Sequence, residues 1–256
     1  GYFALASITS GDTNVGIGAE AGSTLTTGIK NVMIGYQAGN LVNHANADEN
    51  VLIGNAAGKG GTGEMKRCIV IGSQAMDSTT DQAQTGTIAI GHAALSSLST
   101  GTGNTAVGYS AGGAINTSSQ NTFLGYASGD TNIGDHSVAV GYHALKGVSG
   151  NANSYNTAIG SRAMGTVTTG GSNVAVGFDS LGGITTGGDN TAIGRNAGLA
   201  ITSGARNVIV GKQAGAAMTT GTNNVLLGVS AMSAADGAER ENIAIGYYAG
   251  GLINND

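Results

Sequence analysis

A glycine preceded by a branched aliphatic residue recurs from end to end of this 256-residue chain, and no other feature restricts the fold so severely. Aligning on it gives fourteen copies: Gly18, Gly35, Gly54, Gly72, Gly91, Gly108, Gly125, Gly141, Gly160, Gly177, Gly194, Gly211, Gly228 and Gly246, spaced 16 to 19 residues apart and most often 17. Self-similarity at such a period marks a repeat architecture, in which each unit buries its apolar surface only by stacking on the next.

The positions around this anchor glycine each have their own chemistry. One residue before it every copy carries Ile, Val or Leu, and three before it Val, Ile or Thr. Residues two apart on a strand share a face, and β-branched side chains favour extended backbone, so each unit contains a short strand. Three residues after the anchor come twelve Ala and two Ser (Ser128 and Ser180), then Gly, Leu or Met in every copy, small residues that suit a second, tightly approached strand. Seven before it, eight copies have a Gly suited to a tight turn. A helical reading fails, because no unit places apolar residues at i, i+3, i+4 and i+7 and the recurring Gly would cost a helix roughly 1 kcal/mol each. The expectation is an all-β, single-chain parallel β-solenoid of about 14 coils of ~17 residues, roughly 65 Å long at the ~4.8 Å strand spacing. Residues 1–10 read as a lead-in and 11–256 as the repeat domain.

Four residues before the anchor, eleven copies carry Asn. Stacked coils would set these amides above one another, either bonded in a ladder or merely tolerating turn geometry. Cys68 occupies this column and reads as a structural substitution.

The residue two before the anchor is never polar: it includes Met33, Leu52, Val70, Phe123, Ile209 and Leu226, the others being Ala and one Gly. On strand alternation it should point away from its apolar neighbours, toward the outside of the coil. A strand apolar on both faces is covered on both. A line of such residues exceeds the apolar surface that a monomer ordinarily exposes, so identical chains packed side by side about a closed axis are expected to bury it, with these six side chains as the oligomer interface.

Composition excludes other classes. With 47 Gly, no Pro and no three-residue Gly period the chain is not collagen. A net charge of −5 argues against nucleic acid as a partner, and no apolar run is long enough for membrane insertion as a helix. No cofactor is expected. Neither is a metal site, since His44, His92, His136 and His143 fall at unrelated repeat positions. The segment Gly16-Ile17-Gly18-Ala19-Glu20-Ala21 mimics a dinucleotide fingerprint without its helix. Nothing gathers a catalytic set, so no enzymatic activity is expected.

Two features remain for binding. Five longer linkers, near 40–50, 59–68, 76–87, 146–156 and 233–242, hold 13 of the 25 charges, among them Asp48, Glu49, Asp81, Asp236 and Glu241. They are either binding loops or drift at a solvated edge. An aromatic follows the anchor at Tyr36, Tyr109, Tyr126, Tyr142, Phe178 and Tyr247. These six either grip sugar rings, Tyr109, Tyr126 and Tyr142 forming a stacked row, or cover corners and chain interfaces.

Units such as Asn104-Thr105-Ala106-Val107-Gly108-Tyr109-Ser110-Ala111-Gly112 and Asn190-Thr191-Ala192-Ile193-Gly194-Arg195-Asn196-Ala197-Gly198 resemble the head repeats of YadA-type trimeric autotransporter adhesins, a left-handed β-roll. In repeat length they are closer to the repeats of phage tail-fibre proteins and related bacterial surface proteins. The resemblance spans residues 11–256 and implies a parallel homotrimer at an extracellular, virion or cell-surface location. The expected role is a structural and adhesive fibre segment that displays loops to a cell-surface glycan or protein receptor. No coiled-coil stalk, membrane anchor or chaperone domain is seen, so the chain reads as a shaft or head segment whose ends are expected to be trimmed. A self-assembling matrix filament is the alternative, and an ice-binding solenoid is suggested by Thr pairs such as Thr26-Thr27 and Thr219-Thr220.

Overall fold

The computed structural model describes residues 1–251 except 62, 80–82, 132, 149–152 and 236. Asp81, Asp236 and the last five residues of the expected repeat domain therefore lie outside the described residues. The chain is an all-β parallel β-solenoid of about 13 turns of ~17 residues. It divides into two compact units, residues 1–127 and 128–256.

In the first unit the strands are β1 (Val15–Ile17), β2 (Val32–Ile34), β3 (Val51–Ile53), β4 (Met65–Lys66), β5 (Ile69–Ile71), β6 (Gln84–Thr85), β7 (Ile88–Ile90), β8 (Thr105–Val107) and β9 (Thr122–Leu124). Here β1-β2-β3-β5-β7-β8-β9 lie in that order in one parallel sheet, while β4 and β6, in two of the longer linkers, pair separately. The second unit holds β10 (Val138–Val140), β11 (Thr157–Ile159), β12 (Val174–Val176), β13 (Thr191–Ile193), β14 (Val208–Val210), β15 (Val225–Leu227) and β16 (Ile243–Ile245), paired in parallel in chain order. Register follows the repeat: Thr157 faces Val174 and then Thr191, Ala158 faces Ala175 and then Ala192. Residues 1–10 follow the same path as later coils, with Leu5 N donating to Ala21 O and Thr9 N to Thr26 O.

The anchor is glycine for two reasons that act together. Its φ lies between +124° and +142° in all fourteen copies. It also rests against the next coil, so that a Cβ on Gly177 would stand 2.6 Å from the carbonyl oxygen of Gly194. Two residues further on, all fourteen copies hold a non-Gly residue in the left-handed region, from Glu20 (φ 57°) to Tyr248 (φ 53°). Such a residue costs roughly 1 to 2 kcal/mol, and the turn it closes is held from outside. Gln37 N, for example, donates to Ala19 O of the coil before, and Ala38 N closes the turn on Gly35 O.

The residues two before the anchor face inward, reversing the expectation from strand alternation. Met33, Leu52, Val70, Phe123, Ile209 and Leu226 are fully buried within the single chain and form the core, so none of them lines an outer stripe or an interface between copies. Their neighbours on either side, the Val, Ile, Leu and Thr of the strand, face out. The interior is narrow, and in eight of the fourteen coils the position four after the anchor is large where the strand residue is small, or Gly where it is large. Ala89, Ala139, Ala158 and Ala175 are followed by Leu95, Leu145, Met164 and Leu181, whereas Met33, Leu52 and Ile209 are followed by Gly39, Gly58 and Gly215. The contacts explain this reciprocity: a Cβ on Gly58 would stand 2.7 Å from the Leu52 side chain, and one on Gly112 would meet both Leu95 and Phe123. Close packing at this level leaves no room for a methyl group.

The Asn column is a buried ladder. In the second unit Asn173, Asn190, Asn207 and Asn224 each pass their Nδ2 and backbone N–H to the Oδ1 of the Asn one coil before, at 2.9 to 3.2 Å. The second Nδ2 hydrogen goes forward to a carbonyl, as from Asn190 to Gly204 O at 2.8 Å. Every polar atom of these fully buried amides thus has a partner, the condition for burying them without penalty. The first unit repeats this through Asn14, Asn31 and Asn50 and again through Asn104 and Asn121. Between the two runs Cys68 takes the place of an Asn. Its Sγ–H reaches Gln84 O at 3.3 Å, while Asn50 Oδ1 accepts only its backbone N–H. Burial pushes the thiol of Cys68 up from its ordinary range. Thr87, next in the column, keeps a buried hydroxyl without a partner.

Candidate functional site

The outward sheet face is the most unusual surface of the chain. Each of the fourteen repeat strands presents two side chains outward, and these form two aliphatic files containing no charge, interrupted in chemistry only by Thr105, Thr122, Thr157 and Thr191. Ile17 is 56% exposed, Leu124 48%, Ile193 42% and Val208 40%. With strands about 4.8 Å apart and the two files about 7 Å apart, the strip in each unit covers on the order of 300 Å². One such strip is already near the size that monomers tolerate, and the chain carries two.

The aromatic column runs along one edge. Tyr36, Tyr109, Tyr126, Tyr142, Phe178 and Tyr247 are all exposed. In the first unit His92, Tyr109 and Tyr126 stack with near-parallel rings, centroids 5.0 and 5.1 Å apart. Both faces of Tyr109 are therefore occupied by neighbouring rings, and this row presents edges and hydroxyls to solvent rather than ring faces. Tyr142, the third member of the expected row, lies in the second unit, where it meets His143 edge-on at 4.1 Å. Phe178 lies beneath the Arg162 guanidinium, 4.7 Å from its carbon.

Close to Tyr142 the second unit contains a cleft that the repeat pattern did not announce. It has a volume of about 490 Å³ and is lined by Tyr142, His143, Lys146, Arg162, Thr166 and Leu199, with Asp179, Gly165 and Gly182. It arises in the column five after the anchor, where Lys146 and Leu199 flank two consecutive glycines. Along one side Arg162 grips Asp179 through both carboxylate oxygens, its Nε donating to Oδ1 at 2.8 Å and its Nη2 to Oδ2. On the other, Thr166 Oγ1 donates to Gly182 O at 2.9 Å. Lys146 acts on its surroundings electrostatically. Half-burial raises the carboxyl of Asp130, with Lys146 and His143 pulling the other way. Desolvation, assisted by Lys146 and opposed by Asp130, lowers His143 from its usual range.

Among the linker charges, Asp48 and Glu49 pair across coils with Lys66 and Arg67. Glu49 accepts from Arg67 Nε at 2.9 Å and faces Lys30 at 3.8 Å, and Arg67 holds its carboxyl below the ordinary range. Thr hydroxyls of the turn column are also engaged: Thr168, Thr185 and Thr202 each donate to a Thr carbonyl one coil on. Comparison of the chain with protein-family models, with curated proteins and with solved structures finds no match.

Proposed function

We propose that the chain is a segment of a structural and adhesive fibre, assembled as a parallel homotrimer through the outward faces of its sheets, at a virion, cell-surface or other extracellular location. The observation that carries this reading is the uncharged two-file aliphatic strip repeated on every strand. A strand with one solvated face alternates apolar inward with polar outward residues, and these strands are apolar on both sides. Its best complement is a surface of the same repeat length, because only a second solenoid offers side chains at the same ~4.8 Å interval along the whole strip. Copies of this chain meet that requirement by construction, and a closed rotation axis lets each strip be covered without leaving another open. Three copies follow the resemblance of the repeat to trimeric fibre and adhesin heads. Linkers and the aromatic edge then lie outside the sheet face, where a glycan or protein receptor can reach them.

The strip side chains are exposed in the single chain, so charging them tests association without threatening the core. Replacing Ile193 and Val208 together, Ile193→Asp with Val208→Asp, should reduce the sedimenting mass to the 24.9 kDa of one chain while leaving the far-ultraviolet circular dichroism unchanged. A double variant of unaltered mass contradicts the proposed interface. The matrix-filament reading predicts open-ended growth with concentration instead of a fixed mass. The ice-binding reading predicts thermal hysteresis, and the engagement of the turn Thr hydroxyls with backbone carbonyls weighs against it.

A further inference from the structure

The cleft of the second unit is built from two absences. Gly165 and Gly182 form its floor, and neither has the positive φ that explains the anchor glycines. A Cβ on Gly165 would meet nothing closer than its own turn's Arg162 O at 3.4 Å. Backbone geometry therefore does not require glycine at Gly165; what it provides is open space between Lys146 and Leu199. At about 490 Å³ that space falls within the ~300 to 1,000 Å³ range of small-molecule sites.

Its walls define the ligand. Within the lining Asp179 neutralises Arg162 and Lys146 is the one further formal charge, so the Arg162–Asp179 pair dominates the polar character of the cleft. The Arg162–Asp179 pair sets fixed donors beside fixed acceptors. A hydroxyl group, both donor and acceptor, is matched by such a pair, whereas a carboxylate or an ammonium is matched by only half of it. Leu199 at one end and the Tyr142 ring at the other supply apolar surface for the carbon faces of a ring. We infer that this cleft binds an uncharged pyranose, with ring hydroxyls on Asp179, Arg162 and Lys146 and the sugar's apolar face toward Leu199 or Tyr142. The inference rests on the second unit alone and does not depend on how copies associate, although it supplies the receptor class that a fibre segment would engage.

Saturation-transfer nuclear magnetic resonance on the full chain tests it, using as probes the methyl pyranosides of glucose, galactose, mannose and N-acetylglucosamine, with glucuronate as the charged comparison. At least one neutral pyranoside should receive saturation. Gly165→Leu, which fills the floor at a position that tolerates a side chain, should weaken its binding at least tenfold. Ser96→Leu, at the equivalent place in the first unit, should leave it unchanged. Absence of transfer to every neutral sugar, transfer that survives Gly165→Leu, or a preference for glucuronate would each overturn the assignment. Sedimentation of the same samples reports association separately, so either idea can fail while the other stands.

Discussion

Replacing Asn190 with Leu should cost the second unit about 3 to 6 kcal/mol. The substitution preserves volume and apolar packing but removes one rung of the ladder. Asn207 loses the acceptor for both its backbone N–H and its Nδ2, and Gly204 O loses its side-chain donor. Each buried group left without a partner costs about 1 to 3 kcal/mol. The loss is comparable with the ~5 to 15 kcal/mol that holds an ordinary domain together. Asn242→Ala provides the comparison. It donates to Asn224 Oδ1 at 3.1 Å from the half-exposed end of the column and no described Asn stacks beyond it, so its removal should cost about 1 kcal/mol. Denaturant unfolding of the two variants checks the contrast. Equal losses would mean that the ladder is ornamental and that the backbone ladders alone hold the coils.

The anchor column predicts an effect of similar size from a single methyl group. Gly177→Ala puts a Cβ 2.6 Å from Gly194 O at a φ of +132°, so the coils must move apart locally. That movement strains the Gly177 N–H bond to Ile159 O at 2.7 Å and the Gly194 N–H bond to Val176 O at 2.8 Å. Together with the unfavourable dihedral, the loss should be about 3 to 5 kcal/mol. Gly86→Ala shares the sign of φ but meets nothing within 4 Å, and should cost about 1 kcal/mol. Because coils in a solenoid contact only their neighbours, hydrogen exchange in Gly177→Ala should accelerate in the coils around β11 to β13 before it does elsewhere.

The strand before each anchor was legible to the residue, whereas the second strand expected of the small residues after it is a turn, and β4 and β6 in the linkers carried no signal. The fourteen repeat strands run from three before the anchor to one before it, where β-branched residues cluster. Their facing was not legible by alternation, because Val174, Ala175 and Val176 are all apolar and a period of two has no sign when both faces are apolar. Size complementarity carries the sign. Ala175 is followed by Leu181, and Ile209 by Gly215, as side chains sharing one narrow space require, and where a coil such as Ala106 with Gly112 is small at both positions, Leu95 and Phe123 of the adjoining coils fill the space. The Asn column allowed two readings because one sequence cannot show whether an amide points along the axis or into solvent, and the burial of Asn190 decides it. The cleft escaped notice because its signal is two glycines, Gly165 and Gly182, in a chain where most glycines serve backbone geometry. Open space separates Gly165 from other glycines of ordinary φ: its Cβ would meet nothing closer than 3.4 Å, whereas one on Gly187 would stand 2.2 Å from Gly204 O. The left-handed residues of the turns, such as Arg162 and Asp179, carried no signal in their own chemistry either. They are held there by neighbouring coils, against their local preference.

Sedimentation equilibrium of the unmodified chain at micromolar concentration bears on the central claim, that copies of the same solenoid cover the aliphatic strip. A single species at three times 24.9 kDa, about 75 kDa, is the predicted result. A stable, folded species at 24.9 kDa, with the strip open to water, would contradict it.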